Sequence, residues 1–422
     1  MTRMKESGID WIGQIPEEWE VAKVNHIFEE HKQKNRGNKE KNLLSLSYGR
    51  IIRKSIDSSF GLLPESFDTY NIIQRGDIVL RLTDLQNDKR SLRVGLAREN
   101  GIITSAYLTL RLKNLESNDS YMYYLLHTYD ICKVFYNFGG GVRQGGTWSD
   151  IYKMELLIPP CNEQQKIADF LDKKTAQLDK AKALLEEQIQ KLKDYRASLI
   201  YETVTKGLDK TAPMKDSEID WIGQVPEGWG VKPLKYLASY DDETLTQSEI
   251  NSNRKIDYVD ISSVEFTKGI NGHQEFSTLE APSRARKIAK KGDTIISTVR
   301  TYLKAIAYVN NDYIVSTGFC VVRPKKINSK YLNYTIMSDS FTGPVSKYAW
   351  GVSYPAISSS QLVNIPIPFP ESIEEQLSIV DYLDHKMLQI NQLIDIKQEQ
   401  IENINKQRQT LIYDYVTGKR RV

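Results

Sequence analysis

The stretch SGIDWIGQIPEEW at residues 7–19 recurs as SEIDWIGQVPEGW at residues 217–229, an offset of 210 positions. Two further pairs of segments repeat in the same order at an offset of 212 positions. These pairs are EQQKIADFLD (163–172) with EQLSIVDYLD (375–384), and SLIYETVTKG (198–207) with TLIYDYVTGK (410–419). Matches in one order at a nearly constant offset predict a duplicated chain.

A fourth pair lies inside the repeats, where Arg75-Gly76-Asp77-Ile78 corresponds to Lys291-Gly292-Asp293-Thr294. Each leads into a β-branched run that favours a strand. A period equal to half of the chain is too long for a solenoid unit, so each repeat should hold a whole domain followed by an appendage. The segments between the shared motifs differ greatly, which indicates one scaffold adapted to two ligands.

The appendages carry a heptad pattern typical of coiled-coil helices. In the first, leucine recurs every seven residues, and in the second, apolar residues alternate steps of four and three. The predicted seam comprises Leu171, Leu178, Leu185, Leu192 and Leu199 in the first helix, and Leu383, Ile390, Ile394, Ile401, Ile404 and Leu411 in the second. Prolines at 159–160 and at 368 and 370 mark the starts, and Gly207 and Gly418 mark the ends.

Each helix should span about 40 residues, or roughly 60 Å, and its one-sided seam needs a partner. We favour an antiparallel pair within one chain, whose pseudo-twofold axis would place the two domains at opposite ends of a rod. Dimerisation of two chains through the same seam is the alternative. Arg196 and Arg408 occupy equivalent seam positions, where they either fix the register or extend into solvent.

Each domain combines short β-branched runs with one helical stretch near its C-terminal end, as in SYMYYLLHTYDICKVF (120–135). The predicted fold class is therefore α+β, with two globular domains joined by two long helices in a pseudo-twofold internal repeat. The predicted division is a first domain at 1–155, a central long helix at 156–210, a second domain at 211–365 and a C-terminal long helix at 366–422.

Basic charge gathers inside both domains, although the net charge of the chain is only +3. The segment from Arg75 to Lys113 contains eight basic residues and four acidic ones. The segment from Arg284 to Lys304 contains seven basic residues, and its one acidic residue is Asp293. DNA phosphates attract such surfaces, and guanidinium groups also recognise guanine edges. A solvated charged face is the alternative for either cluster alone.

Two loops in each domain combine basic, aromatic and small polar residues suited to phosphate and base contacts. One follows the Gly-Asp strand, and the other precedes the long helix (139–150 and 349–360). A plain surface loop is the alternative for each. The candidate DNA-binding residues are Arg81, Thr83, Arg90, Arg93, Arg143, Gln144, Trp148, Arg284, Arg286, Arg300, Tyr302, Lys304, Trp350 and Tyr354.

Several classes of function lack their sequence signals. We find no phosphate-binding GxxxxGK[ST] loop, no Asn/Asp-Pro-Pro-aromatic motif for methylating a flipped base and no metal-ligand spacing among the five histidines and three cysteines. FGGG at 138–141 and Glu30-His31-Lys32 lack the surroundings of a cofactor loop or a nuclease site. No apolar run suits a membrane span or a signal peptide. We therefore predict a cytoplasmic protein without cofactor, metal or catalytic site.

The whole chain resembles the specificity subunit of type I restriction–modification enzymes. The duplicated IDWIG-x-[IV]-P-E-x-W leaders, the Ile-Pro-rich helix entries (LLIPPCNEQQKIADFLD and IPIPFPESIEEQLSIVDYLD) and the repeated helix ends carry this resemblance.

The resemblance implies that each domain is a target-recognition domain reading one half of a split double-stranded DNA sequence. It also implies that the helices set the gap between the halves and that two modification subunits, which are methyltransferases, dock on the chain. Two restriction subunits, which are ATP-dependent translocases with nuclease activity, can join them. The alternatives are a stand-alone DNA methyltransferase with an unrecognised site and a coiled-coil scaffold that binds only protein.

Overall fold

A computed structural model describes residues 3–54, 66–85, 88, 92–114, 116–138, 145–351 and 353–422. The chain divides into two compact units: unit 1 is Met1–Leu185 with Gln398–Val422, and unit 2 is Glu186–Lys397. Each unit contains one copy of the duplicated motifs and a part of both long helices. These units follow contacts rather than chain order, so the four-part division given above remains a prediction.

The first half of the chain contains twelve described strands and four α-helices, of which the last is the long helix α4. The strands are β1 (Met4–Glu6), β2 (Gln14–Pro16), β3 (Glu20–Lys23), β4 (Phe28–Glu30), β5 (Leu44–Ser47), β6 (Arg50–Arg53), β7 (Asn71–Ile73), β8 (Ile78–Leu80), β9 (Val94–Leu96), β10 (Gly101–Ile103), β11 (Leu108–Leu112) and β12 (Glu155–Ile158). The helices are α1 (Val24–Ile27), α2 (Asp119–Ile131), α3 (Trp148–Ile151) and α4 (Cys161–Lys206).

The second half contains fourteen described strands and five α-helices, of which the last is the long helix α9. The strands are β13 (Met214–Asp216), β14 (Gln224–Pro226), β15 (Trp229–Pro233), β16 (Ala238–Tyr240), β17 (Lys255–Val259), β18 (Val264–Glu265), β19 (Gly269–Ile270), β20 (Gln274–Ser277), β21 (Ala285–Ala289), β22 (Thr294–Ser297), β23 (Ile306–Tyr308), β24 (Tyr313–Ser316), β25 (Phe319–Pro324) and β26 (Pro366–Pro370). The helices are α5 (Gln247–Asn251), α6 (Ser329–Met337), α7 (Asp339–Tyr348), α8 (Ser359–Leu362) and α9 (Ile373–Val416).

The two units share a framework of three sheets. The antiparallel sheet β4-β11-β8-β9 of unit 1 has the same order as β16-β25-β22-β23 of unit 2. The pair β3–β12 corresponds to β15–β26, and the hairpin β1–β2 to β13–β14. The remaining strands differ, since unit 2 adds a four-stranded sheet, β20-β17-β24-β21, in which β17 and β24 are parallel. The internal repeat is therefore confirmed, and the units diverge in their inserted strands.

The Gly-Asp motif of each repeat supplies a buried ion pair to this framework. Asp77 accepts two hydrogen bonds from Arg111, at 2.8 and 2.7 Å, and Asp293 accepts two from Arg323, at 3.0 and 2.8 Å. Bidentate bonding of this kind fixes geometry as well as adding energy. These carboxylates, which raise the pKa of Arg111 and Arg323, thus join β8 to β11 and β22 to β25.

The long helices α4 and α9 begin at equivalent positions of the repeat, and each ends close to a glycine. Gly207 and Gly418 have φ of +73° and +72°, the left-handed conformation that commonly terminates a helix. At Gly418 any side chain would also collide with the ring of Pro16. Among the helices of the described residues, not one has an apolar stretch long enough to cross a lipid bilayer.

The long helices run antiparallel within each unit. In unit 1 the ring of Phe170 packs on that of Tyr415, with centroids 4.5 Å apart. In unit 2 Gln188 accepts from Lys397 at 2.7 Å, and Arg196 donates to Asn391 at 2.8 Å. Partner numbers on α9 fall as numbers on α4 rise. The antiparallel pair within one chain is therefore confirmed.

The predicted seam residues are withdrawn from solvent to different degrees, and their place at the helix–helix contact remains a prediction. Five are buried, namely Leu171, Leu199, Leu383, Ile390 and Ile401. Six are half-buried, namely Leu178, Leu185, Leu192, Ile394, Ile404 and Leu411. Arg196 and Arg408 are also withdrawn from solvent, so both guanidinium groups lie within the seam rather than extending away from it.

The same contacts join domain and helix in both units. In unit 2 the indole of Trp229 donates to Glu375 at 2.9 Å, and Gln376 donates to the carbonyl of Pro370 at 2.8 Å. The oxygen of the Gln376 amide accepts the backbone N–H of Asn328 at 2.7 Å, directly before α6. Unit 1 repeats these contacts with Trp19 on Glu163, and with Gln164 between Pro159 and Asn118.

We expect Gln376→Ala to destabilise unit 2 by about 2 kcal/mol, because it leaves a buried carbonyl and a buried N–H without partners. The free energy of unfolding in urea measures this loss. Gln392→Ala, an exposed glutamine of the same helix, is the control and should change stability by less than about 0.5 kcal/mol. Equal effects of the two substitutions would contradict the role given to Gln376.

Helix α2 of unit 1 carries two buried titratable groups with opposite responses to acid. His127 stacks on Tyr123, and burial together with the charge of Arg408 lowers its pKa to about 3. Burial raises the pKa of Asp130 to about 6. Below the ordinary pKa of 6.5, His127 binds a proton in the unfolded chain but stays neutral in the folded chain down to about pH 3. The free energy of unfolding therefore falls as the pH is lowered through this window. Asp130 has the opposite effect between about pH 6 and 4, because it binds a proton in the folded chain before it does so in the unfolded chain.

We expect His127→Phe to make unit 1 less sensitive to acid, because an uncharged ring removes the proton uptake that drives unfolding. Each pH unit below 6.5 costs the wild type up to about 1.4 kcal/mol from this group. Unfolding free energies measured from pH 7 to pH 4.5 test this difference in slope. His385→Phe, at an exposed position on α9, should leave the slope unchanged.

Candidate nucleic-acid interface

The two loops singled out in the second domain lie against one another in unit 2. Val299 and Ala356 form an isolated β-bridge, and the N–H of Ile357 donates to the carbonyl of Thr298 at 2.8 Å. A further bridge joins Trp350 to Ala356. Residues 298–304, 348–351 and 353–358 therefore form one continuous surface, which we call the unit 2 loop surface.

The unit 2 loop surface presents large apolar side chains to solvent. The exposed fractions are 58% for Tyr302, 49% for Leu303, 82% for Trp350 and 64% for Tyr354. Single exposed apolar residues are ordinary, whereas a group on one surface marks an interaction site. Leu303 was not among the candidates from the sequence, because a leucine in a short loop looks like a core residue until its exposure is known.

Arg300 and Lys304 flank the turn that carries Tyr302 and Leu303. Both adopt left-handed backbone conformations, with φ of 50° and 46°, which cost energy in residues other than glycine and cluster at functional sites. The Arg300 guanidinium lies 4.7 Å from the ring centre of Tyr354, and Lys304 pairs with Asp339 at 2.9 Å. These contacts hold the turn in one conformation and place cations beside aromatic rings.

Arg284 and Arg286 adjoin this surface through the backbone. The carbonyl of Arg284 accepts from Thr317 at 2.9 Å, and the next residue, Gly318, accepts from Thr298 at 2.8 Å. Arg284 is exposed and Arg286 half-buried. Within the described part of the chain, no carboxylate lies within ion-pair distance of the guanidinium groups of Arg284, Arg286 or Arg300.

The corresponding loops of unit 1 also meet. The N–H of Gly146 donates to the carbonyl of Leu82 at 2.7 Å, and a Cβ at Gly146 would lie 3.2 Å from the Leu82 side chain. The candidates Arg81, Thr83 and Trp148 are half-buried here. Three others, Arg90, Arg143 and Gln144, lie outside the described residues.

Residues 16–193 and 226–406 each match the family model described as the type I restriction modification DNA specificity domain. Together the two matches cover well over half of the chain. The chain belongs to this family.

Relatives agree with this assignment along the whole length. The type I restriction enzyme MjaVIII specificity subunit of Methanocaldococcus jannaschii is 25% identical over 426 residues, covering 97% of this chain and 94% of that protein. The putative MjaX specificity subunit of the same organism is 24% identical, covering 97% and 96%. A solved chain from work on complex assembly and conformational transition of the type I R-M system has a TM-score of 0.67 at 16% identity, covering 95% and 98%. That likeness confirms the fold.

The prediction that Arg93 contacts DNA is wrong. Its side chain is fully buried, so it is not placed to touch DNA. Instead, its guanidinium donates to backbone carbonyls of the preceding loop, namely those of Arg81, Thr83, Asp84 and Asp88. Arg93 therefore holds the loop that carries Arg81 and Thr83, and its effect on any ligand is indirect.

The basic clusters are also less cationic in space than along the sequence. In unit 2, Lys287 pairs with Asp241 and Lys290 with Glu243, both at 2.6 Å. In unit 1, ion pairs join Arg81 to Asp88, Arg98 to Asp172 and Arg111 to Asp77. Most of these acids lie far away in sequence. The charge count therefore overstates the surplus. Among the described candidate residues, the cations without a carboxylate partner on the surface are Arg284, Arg286 and Arg300 of unit 2.

One group of potential metal ligands occurs among the described residues, although the sequence spacing gave none. Asp257, His273 and Glu275 lie on or beside the paired strands β17 and β20, and one ligand atom from each lies within 4.8 Å of the others. All three side chains are exposed, and exposed groups of this kind are common in proteins that bind no ion. We assign no metal to them.

We expect Arg93→Met to destabilise unit 1 by about 3 kcal/mol or more, because it removes a buried cation and leaves several carbonyls without donors. Hydrogen exchange should also rise in the loop 81–85. Arg75→Met, which removes an exposed arginine of the same unit, serves as the control and should have little effect. Unchanged exchange in the Arg93 variant would contradict its role in holding the loop.

Proposed function

We propose that this chain is the non-catalytic DNA-specificity subunit of a type I restriction–modification complex acting in the cytoplasm. Each unit presents loops that read one half of a bipartite double-stranded DNA target. The paired helices set the gap between the halves and dock two modification subunits, and two restriction subunits join optionally. The chain itself holds no cofactor, since S-adenosylmethionine and ATP belong to the partner subunits.

The observation that carries this proposal is the contrast between shared framework and differing loops. The sheets that meet the long helices have the same order in both units, while the inserted strands and loops differ. A protein that binds a single symmetric ligand would gain nothing from this divergence. Two different half-sequences read from one scaffold require it.

The chemistry of the unit 2 loop surface suits DNA. Exposed guanidinium groups at Arg284 and Arg300 bind phosphates and form bidentate hydrogen bonds to guanine in the major groove. Exposed aromatic rings such as Tyr302, and Tyr354 with Arg300 beside it, stack on bases or pack against sugars. This mixture of side chains supplies both affinity and sequence discrimination.

The long helices suit the role of a spacer. Helix α4 contains 46 residues and is therefore about 69 Å long. Because arginines within the seam have defined partners on the other helix, the pair resists sliding. A spacer of fixed length makes the number of unread base pairs between the two half-targets constant.

Two equivalent apolar positions on the helices mark docking sites for the modification subunits. Leu184 on α4 and Ile396 on α9 correspond to each other in the repeat and are 49% and 52% exposed. Exposed faces of a soluble helix are normally polar. Other apolar residues of α9 are also exposed, but Leu184 and Ile396 form an equivalent pair, and such a pair fits one modification subunit for each repeat.

We expect the chain, assembled with its modification subunits, to direct adenine methylation to a two-part sequence with an unread centre. Arg300→Ala combined with Tyr302→Ala should relax recognition of one half only, weakening discrimination there by roughly 5- to 150-fold. Sequencing of methylated adenines, with and without this gene, measures both effects.

The control for this experiment is Lys235→Ala combined with Tyr236→Ala, another exposed lysine–tyrosine pair of unit 2. It should leave both half-targets intact. Methyl transfer to DNA by the purified chain alone would instead identify a stand-alone methyltransferase. Absence of any sequence-specific footprint with partners added would identify a scaffold that binds only protein.

We expect Leu184→Glu or Ile396→Glu to release one modification subunit, because a charge at either position opposes burial in an interface. The measured mass of the complex should fall from two modification subunits per chain to one, without loss of chain stability. Gln400→Glu, at an exposed position on α9, should keep both. Full assembly in the leucine and isoleucine variants would show that these positions do not dock the partners.

A further inference from the structure

The two arginines within the helix seam have different partners in the two units. In unit 1, Arg408 faces the carboxylate of Asp179 at 3.8 Å, and Arg50 also reaches that carboxylate at 2.5 Å. In unit 2, the equivalent arginine is Arg196, and an asparagine amide, Asn391, replaces the carboxylate. Asp179 and Asn391 are therefore equivalent positions of the repeat, and the negative charge is present in unit 1 but absent in unit 2.

A cavity adjoins each of these arginines, and the two cavities differ in charge. The unit 1 cavity, of about 370 Å³, is lined by three arginines and by the carboxylates of Asp172 and Asp179. The unit 2 cavity, of about 260 Å³, is lined by Arg196 and Lys268, and none of the described residues that line it is acidic. Each cavity lies within its own unit, beside the last strand of the framework sheet (β9 or β23) and against both long helices.

Arg196 is nine-tenths buried, with 9% of its surface exposed. Within the described residues, no carboxylate lies within ion-pair distance of its guanidinium. Glu265 is the acid that acts on it through space, but that carboxylate already pairs with Lys268 at 3.3 Å and accepts from Asn271 at 3.0 Å. Burial lowers the pKa of Arg196, as expected for a cation without local compensation.

Asn333 provides an independent observation in the same cavity. It is also 9% exposed, and its side-chain oxygen has no hydrogen-bond partner among the described residues. Buried polar atoms are nearly always hydrogen-bonded, so each exception requires an explanation. Here the cavity wall combines an unneutralised cation with an unused acceptor.

We propose that the unit 2 cavity binds a small oxyanion of the phosphate class. The anion replaces the carboxylate that Asp179 supplies in unit 1, accepting hydrogen bonds from Arg196 and the amide of Asn391. A protonated oxygen of monohydrogen phosphate donates to Asn333. The cavity is far larger than the roughly 30 Å³ that one water occupies, so such an ion fits. Water alone would satisfy the hydrogen bonds but leave the buried charge unbalanced.

Titration calorimetry of the full chain with inorganic phosphate, at constant ionic strength in chloride, tests this proposal. We expect one phosphate to bind per chain. Asn391→Asp should weaken binding at least tenfold, because a carboxylate then occupies the position of the anion. This substitution keeps the shape of the side chain and adds an ion pair, so the variant is expected to fold. Arg196→Gln should weaken binding to a similar extent.

Asn405→Asp makes the same chemical change at an exposed position of α9 outside the cavity and should leave binding unchanged. Thermal unfolding gives a second measurement. Phosphate at ten times its dissociation constant should raise the midpoint of the wild type about 2–4 °C more than that of Asn391→Asp. Absence of phosphate binding by the wild type, or binding by Asn391→Asp within twofold of the wild type, would overturn the proposal.

Discussion

A buried glutamine near the start of each long helix holds a domain to that helix, and the rest of the structure depends on this contact. The side-chain amide donates through its NH₂ group and accepts through its oxygen. In unit 2, Gln376 donates to the end of β26 and accepts from the residue before α6, and Gln164 does the same in unit 1. A bond between two backbone segments and one helix fixes rotation as well as distance. The adjacent tryptophan–glutamate bond joins the last residue of each IDWIG-x-[IV]-P-E-x-W segment to the same helical turn.

Because these anchors lie in the framework, the loops are free to vary without disturbing the attachment to the helices. Each loop surface has its own local support. In unit 1 the buried Arg93 donates hydrogen bonds to backbone carbonyls of its loop. In unit 2 the β-bridge between Val299 and Ala356 joins two loops directly. Different supports at equivalent places indicate that the loops changed independently after duplication. A new loop therefore needs to solve only a local folding problem.

The parts of the fold that follow from local pattern could be predicted from the sequence. Heptad spacing is a property of one helix, so the seam from Leu171 to Leu199 and the ends at Gly207 and Gly418 were visible in the chain itself. Side-chain environment was not visible. The sequence places Arg93 among the surface cations, because its acceptors are backbone carbonyls, which every residue has. The charge count leaves Lys287 and Lys290 without an acidic partner, because Asp241 and Glu243 belong to a distant part of the sequence. Charge counted along a window misses such partners.

The polar residues of the helix seam restrict the two long helices to one register. An apolar seam of leucine and isoleucine packs almost equally well after a slip of one heptad, because its residues are interchangeable. Arg196 bonds to Asn391, and Arg408 lies beside Asp179, so a slip would bury each guanidinium against apolar side chains. Losing the partner of a buried charge costs several kcal/mol. The arginines weaken the seam as a hydrophobic contact, yet they restrict it to one register, and the spacer role that we propose for the helices requires such a register.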